Sequence, residues 1–392
     1  MEKALSNLRV LDLSQHLAGP FCTMLLADMG AEVIKVEPPW GDESRTSAGY
    51  ERLKGESVYF MFPNRNKKSL VLDLKKERGV EVIKRLVRGS DVVVENFRPG
   101  VMDRLGIGYD ALSLENPGLI YASISGFGLS GPYSNRPSYD IVGQAASGWM
   151  WLNSRETRGL DSRASYTPSC LAGSPGDSIP GTFLALGILA ALNHRNQTGR
   201  GQRIDVAQTD ALMTVAGLGF TYSLMGGATA EERASRPSSS IHGVYEAKDG
   251  YIVVRASAEK DLKLLSEVVG VEPEELKGSP QRLIGWFKTR TRDEIAGLLS
   301  EKIPCSSVRT DDEVARDLVI RERVIVELPH PLGFTYRAVA TGIKFSETPV
   351  SVEALPPSLG QDTAEVLKSV GYSDDEVTVL IRERVAFAPE RH

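Results

Sequence analysis

The chain has 392 residues, 41% of them hydrophobic and 25% charged, so it can build a large core without disulfides or structural metal and divides into two or three units. Its formal net charge of −5 at pH 7, from 46 basic and 51 acidic residues without a polybasic run, argues against nucleic acid as the main partner. Its three cysteines stand singly, so we predict no metal site. Its N-terminus has no apolar signal segment, and its longest apolar run, near residues 183–192, is too short to cross a bilayer. We therefore predict no membrane contact and a cytoplasmic location.

Short apolar strands alternate with helical stretches through the first half of the chain. Gly30 and Gly199 are suited to end two of these helices, and Gly19-Pro20 predicts a turn. The alternation is typical of an α/β fold, here a Rossmann-like parallel sheet with helices on both faces. The predicted strands are Arg9–Leu13, Ala31–Glu37, Ser69–Leu74, Asp91–Val94, Leu119–Ser125 and Gln202–Val206, and the predicted helices are Phe21–Met29, Glu77–Arg88 and Thr182–Arg195.

The composition changes after about residue 226. A polar linker is predicted over residues 226–240, followed by a smaller α/β region with a hairpin around Lys248–Gly250 and helices near residues 260–300. A helical pair is predicted over Thr363–Arg384. We therefore expect a large domain whose first part is 1–225, a small domain with flanking linkers over 226–328, and a return segment, 329–392, that completes the large domain.

Two cationic segments suit the binding of a ligand that carries phosphates. The first is Asn64–Ser69, just before a strand; the second is Glu95–Gly100, just after one, with Arg104 one turn further on. An asparagine, an aromatic ring and two arginines at the end of a strand suit phosphate and a planar base. Taken singly, each segment is better explained as solvated surface charge, but both lie at sheet edges where open α/β folds bind ligands, which favours a ligand. No Gly-x-Gly-x-x-Gly follows the first strand, so a dinucleotide fingerprint is absent.

A third segment, Gly173–Gly181, precedes the most apolar helix. Asp177 and Ser178 stand at the entrance of this helix, where a small polar residue is commonly an N-cap. The same position stabilises an ionised carboxylate and exposes backbone N–H groups, and the flanking glycines allow close approach of a substrate. The segment therefore predicts either a helix cap or a carboxylate nucleophile with oxyanion donors beside it.

Taken together, these segments resemble the class III CoA-transferases, such as the formyl-CoA and carnitine CoA-transferases, which are related to the 2-methylacyl-CoA racemases. The resemblance is dense over residues 8–210 and looser over 226–350. The residues that carry it are Val10–Leu13, Leu17–Cys22, Leu26–Glu37, Asn66–Ser69, Glu95–Leu105, Gly126–Gly128, Gly131–Tyr133, Tyr139–Asp140, Gln144–Gly148, Gly176–Gly181, Leu359–Thr363 and Gly371–Asp375.

The resemblance implies a catalytic role for Asp177, which would exchange CoA through an aspartyl anhydride and an aspartyl-CoA thioester. It implies CoA as a co-substrate, no permanently bound cofactor, no metal, and an interlaced homodimer of ring-like subunits. The family's glycine-rich flap has no counterpart around Arg255–Ala258. The CoA-binding positions it implies are Leu17, Ala18, Leu72, Lys75, Asn96, Phe97, Arg98 and Arg104, with Arg45 and Arg136 in loops that differ among members, and the active-site vicinity it implies is Tyr139, Gly176 and Gly181.

Two alternatives remain open within this fold. A 2-methylacyl-CoA racemase would need an acid/base, and Tyr139 stands where the racemase motif has histidine, which leaves His16 and His242 as pocket candidates. Tyrosine, with a pKa of about 10, is a poor base for enolisation at neutral pH. A catalytically silent acyl-CoA-binding protein is the other alternative, and the retention of Asp177 argues against it.

Overall fold

The computed structural model describes residues 3–47, 49, 53–156, 168–226, 241–278 and 281–389. These residues form two compact units, one built from 1–147, 172–215 and 322–392, and the other from 148–171 and 216–321. The domain boundaries at 225 and 328 stay predictions, and the predicted linker lies, except for Gly226, outside the described residues.

The first unit contains a seven-stranded sheet with the strand order β12-β3-β2-β1-β4-β5-β6. Strands β1 to β6 pair in parallel, and β12 pairs antiparallel with β3. The predicted α/β class with a large parallel sheet is confirmed. The strands are β1 (Arg9–Asp12), β2 (Glu32–Glu37), β3 (Lys67–Leu72), β4 (Val92–Glu95), β5 (Ile120–Ser125), β6 (Gln202–Ala207) and β12 (Ala386–Phe387).

Helices cover both faces of this sheet, because the strands are apolar on both faces and each face buries its own core. One core joins Leu11, Ile34 and Val93 to the helix Glu77–Val87, and the other joins Val10, Val33 and Val92 to the helix Ala18–Asp28. The helices of the first unit are α1 (Ala18–Asp28), α2 (Val58–Asn64), α3 (Glu77–Val87), α4 (Val101–Arg104), α5 (Tyr109–Glu115), α6 (Asp140–Ala146), α8 (Pro175–Thr198), α9 (Gln208–Val215), α17 (Thr363–Ser369) and α18 (Asp374–Arg382), with a 3-10 helix over Glu43–Thr46.

The strand order sets where a ligand site forms. The chain runs outward from β1 through β2 to β3, then returns to the other side of β1 and runs through β4, β5 and β6. The loops that follow β1 and β4 therefore leave the sheet in opposite directions, and a crevice opens between them at the carboxyl ends of the strands.

Helix α8 is longer than the sequence predicts. It has 24 residues and starts at Pro175, seven residues before the predicted start, because Pro175 suits the first helical position and Pro180 is accommodated inside the helix. Helix α8 is long and apolar enough to cross a membrane, but the core helix of a globular protein can have the same length and composition. Its residues Leu184 and Ile188 are buried in the core, packed beside the sheet.

The second unit is built around a three-stranded antiparallel sheet in the order β7-β8-β9. Strands β7 (Ile241–Ala247) and β8 (Gly250–Ala256) form the predicted hairpin, and β9 (Cys305–Val308) pairs with β8. Its helices are α7 (Trp149–Glu156), α10 (Gly217–Leu224), α11 (Glu259–Val269), α12 (Pro273–Gly278), α13 (Gln281–Lys288), α14 (Arg292–Leu299) and α15 (Asp311–Arg316).

Some predicted elements were wrong or missed. Gly19 and Pro20 lie inside the first turn of α1, not in a turn before it, because proline is tolerated there without its N–H. The sequence did not predict the short strand β12 or the hairpin of β10 (Ile325–Pro329) and β11 (Thr335–Val339), which follows the helix α16 (Leu318–Val324). The terminal helical pair is present as α17 and α18.

Candidate active site

A cleft of about 360 Å³ opens at the carboxyl ends of the parallel strands. Its walls come from the loops after β1, β4 and β5, from the starts of α8 and α9, and from the segment before α6. A cleft of this size suits an acyl group and part of a thioester arm. The lining residues are Gln15, His16, Leu17, Ala18, Glu43, Asn96, Phe97, Arg98, Pro99, Ile124, Ser125, Gly126, Ser134, Arg136, Pro137, Ser138, Tyr139, Asp177 and Gln208.

Asp177 is the half-buried carboxylate of this cleft and lies in the first turn of α8. Burial, and next the negative charge of Asp140, raise the pKa of Asp177 to about 7, and a hydrogen bond from Gln208 limits this rise. Gln208 donates from Nε2 to Asp177 Oδ1 at 2.7 Å. Asp177 is therefore a weakly solvated carboxylate that titrates near neutral pH, which raises its basicity and nucleophilic strength when ionised.

The backbone N–H groups around Asp177 are already engaged. Gly176 N donates to Asp140 Oδ1 at 2.7 Å, while Asp177 N and Ser178 N both donate to Ser174 O at 3.0 Å. The expectation that this helix entrance offers free oxyanion donors was wrong, since the turn at Ser174 satisfies them internally. The N-cap is Ser174 and not Asp177 or Ser178, so the capping alternative for Asp177 was also wrong.

Gly176 and Gly181 make room for protein atoms. A Cβ at Gly176 would lie 2.5 Å from Asp140 O, and a Cβ at Gly181 would lie 2.6 Å from Ala18 O. We expected these glycines to admit a bulky substrate, but the structure shows that they allow α6 and α1 to pack closely against α8. The contact at Gly181 sets the start of α1 beside the first turns of α8, where Asp177 lies.

A buried ionic network holds the loop after β1 against the cleft. Asp12 accepts hydrogen bonds from Ser14 N at 3.0 Å and from Lys67 Nζ at 2.8 Å. Lys35 Nζ donates to Ser14 O at 3.0 Å and pairs with Asp42 at 2.8 Å, and Asp42 also accepts from His16 N. The side chains of these four residues have no exposed area. Asp12, Lys35 and Asp42 bond the backbone of the loop directly and so fix the cleft wall.

His16, from the loop after β1, and Tyr139, from the segment before α6, place an imidazole ring and a phenol ring in the cleft. The rings of His16 and Tyr139 meet edge to face at 5.7 Å, and His16 Nε2 lies 3.6 Å from a carboxylate oxygen of Glu43. Burial, and next the charge of Asp177, raise the pKa of Tyr59 to about 12, so its phenol stays neutral. His242 lies in β7 of the second unit.

Six of the predicted binding residues line this cleft. Asn96 exchanges two hydrogen bonds with the Gln15 main chain, each of 2.8 Å, and so ties the loop after β4 to the loop after β1. Phe97, Arg98 and Arg136 complete this part of the wall, with both arginines exposed and Arg136 stacked over a tyrosine ring. Leu17 and Ala18 line the cleft as well, at the start of α1.

The other predicted binding residues lie elsewhere. Leu72 is fully buried in β3, and Arg45 donates to both carboxylate oxygens of Glu37 at 2.7 Å. Lys75 and Arg104 are exposed and are not among the residues that line the cleft. The contacts of these four residues with CoA stay predictions.

The cationic segment Asn64–Ser69 has a structural role. Arg65 is fully buried against Asp28, and Lys67 is fully buried against Asp12. Lys68 pairs with Glu32 and Glu365, and Asn66 Oδ1 accepts from the main chain of residues 353 and 354. Both expectations for this segment, phosphate binding and solvated surface charge, were wrong for Arg65 and Lys67, because buried carboxylates already neutralise these two cations.

Sequence reasoning did not assign roles to several residues that meet Asp177. Gln208 follows β6 directly, and its position could have been found from the rule that residues after the carboxyl ends of parallel strands meet at one edge. Asp140 was noticed only as part of a matching motif. Within the described residues there is no group of three or more histidine, cysteine, aspartate or glutamate side chains that could hold a metal ion.

The sequence profile of CoA-transferase family III matches residues 5–363 of the chain. The chain belongs to CoA-transferase family III. The formyl-CoA:oxalate CoA-transferase of Rhodopseudomonas palustris (strain HaA2) is 35% identical over 100% of this chain and 99% of its own length. The succinyl-CoA:mesaconate CoA-transferase of Haloarcula hispanica is 33% identical over 94% of this chain and 96% of its own.

Solved structures agree with this family. The crystal structure of a CAIB/BAIF family protein from Brucella suis superposes with a TM-score of 0.80 at 30% identity, covering 94% of this chain and 100% of that one. The chain is thus a class III CoA-transferase, an enzyme for which CoA is a co-substrate. In this family III enzyme, the cleft with Asp177 is the candidate active site.

Proposed function

We propose that this family III enzyme moves CoA from an acyl-CoA to a free carboxylic acid with Asp177 as the covalent carrier. The observation that carries the proposal is the position of Asp177. It lies in the cleft at the carboxyl edge of the parallel sheet, half-buried, with a pKa raised to about 7. A desolvated carboxylate is a stronger nucleophile than one in water, because it has lost the hydration that stabilises its charge.

The reaction proceeds by exchange at one carboxylate. Asp177 attacks the thioester carbonyl, the C–S bond breaks, and CoA leaves as a thiolate while a mixed anhydride forms. The thiolate attacks the aspartyl carbonyl, which releases the donor acid and leaves an aspartyl-CoA thioester. The acceptor acid then attacks the aspartyl-CoA thioester, which releases CoA thiolate and forms a second mixed anhydride. The thiolate attacks the acceptor's acyl carbonyl, which gives the new acyl-CoA and frees Asp177. One thioester replaces another, so the balance needs neither ATP nor a redox partner.

The residues around Asp177 support these steps. The start of α1, which contributes Leu17 and Ala18 to the cleft, carries the positive end of its helix dipole and favours charge that develops on a carbonyl oxygen. Arg98 and Arg136 provide positive charge for the anionic parts of both substrates. Loss of water from the cleft protects the anhydride from hydrolysis.

The experiment that tests the proposal follows labelled CoA. Purified enzyme is incubated with formyl-CoA or succinyl-CoA, denatured, and digested, and the modified peptide is identified by mass spectrometry. We expect CoA on Asp177 and on no other carboxylate. Addition of oxalate, succinate or mesaconate should discharge this label into a new acyl-CoA for at least one acid. CoA that binds but leaves completely on denaturation, with no transfer to any acid, would favour a silent acyl-CoA-binding protein.

A racemase is the second candidate, because His16 lines the same cleft as Asp177. Racemisation must break the C–H bond alpha to the thioester, whereas transfer leaves it intact. We expect no enzyme-dependent deuterium at the alpha carbon of a 2-methylacyl-CoA in deuterated water. Rapid exchange that needs no acceptor acid and is lost in Asp177→Asn would overturn the transferase in favour of the racemase.

We also propose that the enzyme is a homodimer in the cytoplasm, as the resemblance implies. Helix α10 supports the dimer, because it is apolar but has no buried residue in the single chain, with Leu218 75% and Leu224 83% exposed. Apolar surface of this kind is usually covered by a partner. A folded species of single-subunit mass that persists at high dilution in light scattering would contradict the dimer.

A further inference from the structure

Gln208 is a buried amide that the sequence did not bring into the site. It is the first residue of α9, directly after β6, and only 5% of it is exposed. Its Nε2 donates to Asp177 Oδ1 at 2.7 Å, and its Oε1 accepts from Ser138 Oγ at 2.6 Å. Both ends of the amide are therefore engaged inside the cleft.

These two contacts fix which end of the amide faces Asp177. An ionised carboxylate only accepts hydrogen bonds, so Gln208 must present its NH₂ group to Asp177. The Ser138 hydroxyl then donates to the remaining carbonyl. Close packing leaves the side chain little freedom, since a Cβ added at Gly143 would lie 3.2 Å from Gln208 Cβ.

The contact makes the two carboxylate oxygens of Asp177 different. Oδ1 is held by Gln208, whereas in the described part of the chain no hydrogen bond reaches Oδ2. Oδ2, which is free of hydrogen bonds from these residues and therefore the more basic oxygen, is expected to attack the thioester. Oδ1 then becomes the carbonyl oxygen of the acylated aspartate and remains beside the Gln208 NH₂ group.

We propose that Gln208 is the oxyanion donor for the attack of the CoA thiolate on acylated Asp177, a role that rests on the proposed function. As sulfur bonds to Cγ, the electron pair of the Cγ–Oδ1 double bond moves onto Oδ1, opposite Gln208 Nε2. Collapse restores that double bond and breaks the Cγ–Oδ2 bond, so the donor acid leaves as a carboxylate that carries Oδ2. The same donor serves the reverse attack by the acceptor acid.

Gln208 acts oppositely on the two forward steps. In the first step, charge on Oδ1 falls as the carboxylate becomes an anhydride carbonyl, so the hydrogen bond weakens and gives no acceleration. In the second step, charge returns to Oδ1 and the hydrogen bond strengthens. Loss of one such donor slows the step it serves by roughly 10²–10³-fold. A purely structural role for Gln208 would slow both steps together.

The test is a single-turnover experiment with Gln208→Met, which keeps the length of the side chain and removes the donor. We expect labelled CoA to join the protein about 10²-fold more slowly than in the wild type. The stalled anhydride should meet water instead, so the ratio of acyl-CoA hydrolysis to CoA transfer rises. The ascending limb of the CoA-transfer rate against pH should move to higher pH. Without the hydrogen bond from Gln208 the ionised form of Asp177 is less favoured, so its pKa rises.

Two further variants bracket this result. Ser138→Ala frees the amide to rotate and should give the same changes to a smaller extent, and it carries the test alone if Gln208→Met does not fold. Gln202→Met makes the same substitution at an exposed position of β6 and should transfer like the wild type.

CoA incorporation within threefold of wild type in Gln208→Met, or slower incorporation with an unchanged ratio of hydrolysis to transfer, would overturn the role of Gln208 alone. A wild-type enzyme that neither incorporates nor transfers CoA would overturn the proposed function and this inference together.

Discussion

The cations at β3 and those beside the cleft occupy opposite environments. Arg65 and Lys67 have no exposed area, and each is paired with a buried carboxylate at 2.7 and 2.8 Å respectively. Arg98 and Arg104 are exposed, and among the described residues neither forms an ion pair with a carboxylate. A cation inside the fold needs a partner to offset its desolvation, whereas one on the surface is free to bind an anionic ligand. The same residue types are thus neutralised inside the fold in one region and left available to a ligand in the other.

Asp177 gives the largest expected effect, because it is the proposed nucleophile; among the described residues it has no cationic partner. Asp177→Asn should lower CoA transfer by about 10³-fold or more, while acyl-CoA still binds, because only the nucleophile is removed. Initial rates and equilibrium binding of acyl-CoA measure the two effects separately. Activity within tenfold of the wild type would remove Asp177 from the chemistry.

The same variant should be more stable than the wild type at alkaline pH. The folded protein raises the pKa of Asp177 from 3.8 to about 7, so ionisation opposes folding. This cost is absent below pH 3.8, grows as the pH rises and is complete above about pH 7. The thermal midpoint of Asp177→Asn should therefore exceed that of the wild type most at pH 8, with a difference that shrinks toward pH 4.

Lys67→Met tests the interior side of the comparison. It leaves Asp12 buried without its ion-pair partner, which should lower the free energy of unfolding by about 3–5 kcal/mol. Lys68→Met is the matched control, because Lys68 is a partly exposed neighbour whose loss should cost at most about 1 kcal/mol. Urea unfolding of both variants gives the values. If Lys67→Met raised the KM for acyl-CoA at unchanged stability, the segment would bind ligand after all.

Arg98→Ala and Arg104→Ala test the surface side. Each removes a charge-assisted contact to the ligand worth about 1.5–3 kcal/mol, so the KM for acyl-CoA should rise roughly 10- to 100-fold with little change in kcat. Arg88→Ala removes an exposed arginine that pairs with Glu115 and should leave KM unchanged. A fall in kcat alone for Arg104 would place it in the chemistry.

The smallest effect concerns the pH at which the enzyme becomes active. Transfer needs ionised Asp177, so kcat/KM should fall as the pH drops below about 7. Asp140→Asn removes the nearby negative charge and keeps an acceptor for Gly176 N, so this limb should move to lower pH. Initial rates at subsaturating acyl-CoA from pH 5 to 9 measure it. If this limb of the kcat/KM profile does not move, burial and not the charge of Asp140 raises the pKa of Asp177.

The sequence predicted the parts of the fold that depend on local pattern. The six parallel strands and the position of Asp177 beside a helix start follow from apolar runs and from a glycine-rich segment. What it could not supply was the environment of each charge. Lys67 and Arg98 look alike as residues in a motif. Only the structure shows that Lys67 is interior, bonded to Asp12 and to the main-chain oxygen of Pro20. Gln208 was missed for a similar reason, since its role depends on β6 lying beside β5.

Gly181 and Gly19 differ in what occupies the space of their missing side chains. At Gly181 the obstacle is the main-chain oxygen of Ala18, whereas at Gly19 it is the side chain of Ser14, 2.2 Å from an added Cβ. A carbonyl is present whatever residue stands at position 18, so no second substitution can make room at Gly181. A change at Gly19, in contrast, can be accommodated by Ser14→Gly, which removes both the Cβ and the Oγ that an added Cβ would meet. Among functional variants from a random library we therefore expect Gly181 to be invariant, and positions 14 and 19 to change as a pair.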